Sequence, residues 1–176
     1  MIRSLLVLGD PSREATRRAI RRSLPALRRL GSVRMALKAR RIRPGEADLA
    51  VVFGGDGAIL NAARQLAPAA IPLVGINLGK LGFLTEVDLS RMGDLTRRLG
   101  SGRYAVVDAM RLDCAVIRRG RVVYRDTALN DVVLGGSGIS RMVSLKLRID
   151  GRPVGTYSGD GLIVATPSGS TAHSLS

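Results

Sequence analysis

From Ile2 to Leu8 the chain reads as a short apolar strand, closed by Gly9-Asp10-Pro11, with Ser12 placed to cap the helix that follows. At about 100° per residue, Arg13, Arg17, Arg18, Arg21, Arg22, Arg28 and Arg29 share one arc, and Ala15, Ala19, Ile20, Ala26, Leu27 and Leu30 lie opposite. That pattern predicts an amphipathic helix. Pro25 sits on the Arg side and predicts a kink or two short helices. Residues 48–53 (DLAVVF) form a nearly continuous apolar run, as in strands buried on both faces. Gly54-Gly55-Asp56-Gly57 follows at once, then a helical stretch at 58–66 and a second buried strand from Pro72 to Ile76. Residues 90–99 read as one more helix. Strands alternating with helices predict an α/β domain with a parallel sheet.

After about residue 101 the texture becomes β. Strand-like runs cover 104–107, 111–118, 121–126, 128–134, 142–149, 152–157 and 161–165, with Arg119-Gly120 and Asp150-Gly151 as turn signals. Two domains are expected: 1–100, α/β, carrying the GGDG turn, and 101–176, the first part of an antiparallel β-rich domain. The chain stops at Ser176 directly after a Gly/Ser/Thr-rich loop, where a β domain is not expected to end, so the sequence reads as a fragment.

At 176 residues the chain is long enough for a real core. With five aromatic side chains (Phe53, Phe83, Tyr104, Tyr124, Tyr157) and no Trp, that core must be aliphatic, which argues against aromatic base-stacking platforms. The formal charge is +14, from 25 Arg and 3 Lys against 14 acids. Such a balance invites a nucleic-acid reading. Its placement weakens that reading: residues 1–45 carry 13 cations and 2 acids (+11), whereas 46–176 carry 15 and 12 (+3). The Arg face of the first helix is expected to be a solvated outer surface, and nucleic acid an unlikely partner. The single Cys114 can form no internal disulfide, and its setting in LDCAV predicts a buried strand position. A reducing, cytoplasmic location is expected. No apolar run is long enough to span a membrane.

Three constellations carry candidate chemistry. Gly54-Gly55-Asp56-Gly57 lies between a strand and a helix, where glycines admit a ligand to the backbone and a helix start attracts phosphate. The competing reading is a tight turn with Asp56 as its N-cap. Pro167-Ser168-Gly169-Ser170-Thr171-Ala172 offers hydroxyls and backbone amides without bulk, fitting either a phosphate or ribose site or a surface loop. Asn130-Asp131 is a polar pair in the apolar run ALNDVVL, to be answered by a hydrogen-bond network or by a ligand. GINLGKL at 75–81 has neither the spacing nor the Ser/Thr of a P-loop. With only His173 and Cys114 there is no zinc cluster and no His-paired thiol.

Taken in order, FGGDGAIL, GINLGKLGFLTEV, ALNDVVL and GDGLIVATPSGSTAHSLS closely resemble the NAD kinase family over residues 48–176. GGDG is shared with diacylglycerol- and sphingosine-type lipid kinases, which would not supply LGFLTEV or TPSGSTA. A lipid kinase relative and a basic nucleic-acid-binding module are the alternatives. The resemblance implies a two-domain enzyme that phosphorylates the 2′-hydroxyl of the adenosine ribose of NAD, making NADP. The donor would be ATP or polyphosphate, with a divalent cation, Mg²⁺, and no metal held by protein residues alone. Asp56 would be the catalytic base, with Gly54 and Gly55 as the phosphate-binding turn and Gly57 making room for the substrate. Phe83, Asn130, Thr171, Ala172 and Ser176 would line the adenine side, and Asp160 would face the nicotinamide end. Asp131 stands where the family usually has Glu, for the ribose hydroxyls, and His173 where a Tyr is common. The resemblance further implies a homo-oligomer, dimer or tetramer, when the chain is full length, with a neighbouring subunit completing the dinucleotide site, and a fragment inactive by itself.

Overall fold

Five parallel strands carry the first half of the chain in a computed structural model that describes residues 2–37, 42–79, 82–136 and 142–171. They are β1 (Ser4–Gly9), β2 (Ser32–Met35), β3 (Leu49–Phe53), β4 (Leu73–Asn77) and β5 (Val87–Asp88), side by side in the order β2-β1-β3-β4-β5. Helices α1 (Glu14–Arg28), α2 (Asp56–Leu66) and α3 (Met92–Gly100) complete a unit spanning Met1–Asp108.

Successive strand residues face opposite ways, and here both faces are apolar. Leu5, Val7, Leu49, Val51, Phe53, Val74 and Ile76 pack with Ala19, Ile20 and Leu27 of α1 and with Met92 and Leu99 of α3. The alternate positions Leu6, Leu8, Ala50 and Val52 are also buried. That face receives α2, where Gly75 leaves space that Ile59 occupies. Full burial of one such aliphatic side chain is worth about 1.5–3 kcal/mol. Asp48 fixes the entry to the sheet, accepting hydrogen bonds from the Arg3 and Ser4 amides (2.8 Å each) and the Ser4 hydroxyl (2.9 Å).

In the second unit, Ala109–Ser176, the described strands form three antiparallel pairs. Strand β6 (Leu112–Arg118) pairs with β7 (Arg121–Ala128), and β9 (Val143–Ile149) with β10 (Arg152–Gly159). Strand β8 (Asp131–Gly135) pairs with the more distant β11 (Gly161–Ala165), and a short helix α4 (Pro167–Ser170) follows.

An α/β parallel sheet followed by antiparallel β structure is what the pattern predicts, but several local expectations are corrected. Ser12 does not cap α1. Its amide (2.9 Å) and hydroxyl (2.6 Å) instead donate to Asp10, which closes the preceding turn. Pro25 divides nothing: it is exposed in the last turn of one continuous helix. Tyr104–Val107 forms no strand, its β-prone residues having no ladder partner. Cys114 is only partly buried, because the face of β6 on which it lies with Leu112 is itself only half-buried. Strand β2 was missed because its sequence, SVRM, is almost wholly exposed at the sheet edge and shows no apolar run.

Candidate functional site

Parallel strands end at one edge, so Gly9, Phe53 and Asn77 bring three connections together there. Ligands of open α/β sheets bind outside that edge. A cavity of about 650 Å³ opens on it, lined by Gly9, Asp10, Gly54, Gly55, Gly57 and Asn77 among others. Gly54 takes φ +154°, and a side chain there would lie 2.5 Å from the Ala58 Cβ, so the turn depends on glycine. The Ser12 hydroxyl and amide and the Arg13 guanidinium (3.3 Å) hold the Asp10 carboxyl below the usual carboxylate range.

Asp56 is the first residue of α2 and does not line that cavity. Neither does it cap its own helix: Gly55 is the N-cap, and no side chain caps it. The half-buried Asp56 carboxylate instead reaches a segment 27 residues away. Its Oδ2 accepts the Phe83 amide (2.9 Å) and its Oδ1 the Leu84 amide (3.0 Å). Gly82 permits this approach, since a Cβ there would fall within 2.7 Å of every carboxylate atom. The glycine turn thus faces a cavity, while its acid faces the 82–84 segment. Phe83 itself is 93% exposed, an unusual position for a large apolar ring.

Two candidate residues in the first unit, Asp56 and Phe83, are therefore brought into contact. In the second unit Asn130 immediately precedes β8, and Asp131 opens that strand opposite Ala165. The Asn130 Oδ1 is buried and has no hydrogen-bond partner. Thr166, 1% exposed, binds both flanking carbonyls: its hydroxyl donates to Leu129 O and its amide to Asn130 O, each at 2.7 Å. The expected open loop after Pro167 is a helical turn, capped by Thr166 through the Gly169 amide. The Thr171 hydroxyl donates back into that turn, to Ser168 O at 3.3 Å. Asp160 is exposed between β10 and β11. The predicted residues Ala172, His173 and Ser176 lie outside the described residues.

Gly82, Leu84 and Thr166 are contributions that sequence reasoning missed. The backbone amide of Leu84 carries no sequence signal. Gly82 and Thr166 stand inside motifs already singled out, but their roles depend on contacts across the fold.

Residues 9–104 match the ATP-NAD kinase N-terminal domain, and residues 129–176 match the ATP-NAD kinase C-terminal domain. The chain is similar to the NAD kinase of Azoarcus sp. (strain BH72), 49% identical over 130 residues, and to that of Koribacter versatilis (strain Ellin345), 49% identical over 128 residues. These alignments cover 74% and 73% of this chain and 44% and 45% of the two relatives, so the chain matches less than half of their length. In structure it resembles a yeast NADH kinase complexed with NADH (TM-score 0.84, 23% identity, 99% of this chain and 60% of that one). It also resembles an NAD kinase from Archaeoglobus fulgidus in complex with ATP (TM-score 0.67, 24% identity, 98% and 64%). At these identities the structural likeness bears on the fold.

Proposed function

The chain belongs to the ATP-NAD kinase family, and from that membership we propose that the protein transfers a phosphoryl group from ATP to the 2′-hydroxyl of the adenosine ribose of NAD. The observation that carries this reading is the two-sided glycine turn. Gly54, Gly55 and Gly57 line the cavity, which suits phosphates approaching the backbone at the start of α2. Asp56, on the same turn but outside the cavity, is left for the acceptor.

The ribose O2′ attacks the terminal phosphorus, the phosphorus–oxygen bond to ADP breaks, and the hydroxyl proton passes to Asp56. Each Asp56 oxygen already accepts one amide and keeps a further lone pair for this step. The two amides fix where the carboxylate stands, and positioning is most of what phosphoryl transfer asks of a protein. A magnesium ion, when bound, neutralises charge between the donor phosphates.

On the second unit, the unpartnered Asn130 Oδ1 suits an N–H donor such as the adenine amine, and on the first unit Phe83 presents an exposed apolar ring. Asp131 accepts from the ribose hydroxyls. Asp160 faces the nicotinamide end, and Thr171, Ala172, His173 and Ser176 complete the dinucleotide contacts. Polyphosphate is an alternative donor, and the enzyme works as a cytoplasmic homo-oligomer. No helix among the described residues is long and apolar enough to cross a membrane. Neither the lipid-kinase nor the nucleic-acid alternative is favoured by the family matches.

NADP formation by the full-length protein is measured with ATP and Mg²⁺, and separately with polyphosphate, while calorimetry follows NAD binding. Asp56→Asn is expected to keep NAD binding and to lose about 10²- to 10⁴-fold in turnover, the usual contribution of a general base. Near-normal turnover in that variant removes Asp56 as the base. Failure of the full-length protein to bind NAD overturns the whole reading.

A further inference from the structure

The most buried polar side chain of the second unit is not one of the ligand candidates. It is Thr166, at 1% exposure, and no apolar side chain among the described residues of that unit is buried as deeply. Its hydrogen bonds are fully used. The hydroxyl donates to Leu129 O (2.7 Å) and accepts the Gly169 amide (3.1 Å). The backbone amide donates to Asn130 O (2.7 Å), and the carbonyl accepts the Gly169 and Ser170 amides (3.0 and 2.9 Å). One residue therefore ties the Leu129–Asn130 backbone to the turn that follows β11.

The turn closes tightly on Asn130. A Cβ at Gly169 would fall within 2.7 Å of three Asn130 backbone atoms, so the turn can approach only as glycine. The backbone is held at the Leu129 and Asn130 carbonyls, on either side of the Asn130 Cα, and the Asn130 side-chain Oδ1 is buried without a partner. A buried acceptor with no donor in the fold, on a backbone fixed from both sides, fits an acceptor kept for a ligand. The tie is also outside the ladder: the last β8–β11 pair is Asp131 with Ala165, one residue before Thr166. Removing the hydroxyl should release the Leu129 carbonyl next to Asn130 and leave the strands paired.

We propose that Thr166 is a positioning residue for the adenosine half of the substrate, holding the Asn130 Oδ1 where it accepts an N–H from the base. The proposal rests on the NAD reading above. It assigns to Thr166 the orientation of Asn130, without contact to substrate.

The test uses the full-length protein, with calorimetric binding of NAD, AMP and nicotinamide mononucleotide, and circular dichroism to verify folding. T166V keeps the shape and removes the hydroxyl. It is expected to weaken NAD and AMP binding about tenfold, the scale of one lost hydrogen bond, and to leave nicotinamide mononucleotide, which lacks adenine, unchanged. T166S keeps the oxygen and is expected to bind as the unaltered chain does. T166V combined with N130A is expected to be no weaker than N130A alone, because both act through one contact. Unaltered AMP binding by T166V, or additive losses in the double variant, overturns the proposal and leaves the NAD reading standing. If T166V fails to fold, T166S still decides: weakened AMP binding there means the methyl packing matters and the hydroxyl does not. If the unaltered full-length protein binds neither NAD nor AMP, the NAD reading fails, and the proposal with it.

Discussion

Met1–Asp108 and Ala109–Ser176 are held together by different physics. In the first unit Leu5, Leu6, Val7, Val51, Val52 and Phe53 are all within 1% of complete burial, between helices on both faces of one sheet. In the second, Ile117, Val122, Val123, Tyr124, Val133, Ile149, Val154 and Tyr157 are each about half exposed or more. Among the described residues its strands form three separate hydrogen-bonded pairs. Isolated strand pairs are marginal in water because hydrogen bonds alone contribute little net stability. What orders the second unit's candidate site is therefore local: the polar tie at Thr166. The first unit's site instead inherits rigidity from the core beneath it, since Phe53, the residue before the glycine turn, is completely buried.

The largest effect expected from this contrast lies in amide hydrogen exchange. Amides of β1, β3 and β4 should exchange only through global unfolding of the first unit, and those of β6–β7 and β9–β10 through cheap local opening. A protection ratio of at least about 10³ is expected between β3 and β6, corresponding to some 4 kcal/mol between the two openings. Equal protection would mean that the second unit has a core of its own, and the contrast would fail. Side-chain truncation should follow the same division. Phe53→Ala is expected to cost about 3–5 kcal/mol in urea unfolding. Ile117→Ala, at a position 64% exposed, should stay within about 0.5 kcal/mol. A loss of 2 kcal/mol or more at Ile117, on the scale of buried truncations, would reveal a partner layer over β6.

The same division explains what could be read in the sequence. The run DLAVVF announces β3 because burial on both faces leaves no polar alternation, and the glycines after it announce the turn. Strand β2 gives no such signal, since an edge strand at the surface needs no apolar residues. Tyr104–Val107 has strand-forming residues without a partner, and pairing is not a local property. The candidate site divides likewise. Asp56, Asn130 and Phe83 stand out by type and setting, but the 27-residue reach from Asp56 to the Phe83 amide does not. The burial of Thr166 is equally invisible, because a Thr before Pro167 reads only as the end of a strand.

The smallest effect concerns how the first unit's sheet is entered, and it distinguishes polar ties in the two units by pH. The Asp48 carboxyl lies below its ordinary value because the Arg3 and Ser4 amides and the Ser4 hydroxyl all donate to it. A carboxyl depressed in the folded state stabilises that state at every pH above its unfolded value, near 3.8. That stabilisation is lost as pH falls from there through the folded value, where the group binds a proton in both states. Asp48→Asn keeps an acceptor oxygen in place and removes the charge. The variant should therefore be less stable than the unaltered chain near neutral pH, and the gap should narrow as pH is lowered from about 5 to about 3. Urea midpoints followed through β3 signals measure it. The Thr166 tie contains no titrating group, so the stability difference between T166V and the unaltered chain should be the same across that range. A gap for Asp48→Asn that stays constant with pH would show that its hydrogen bonds act by shape alone, and would remove the electrostatic difference between the two ties.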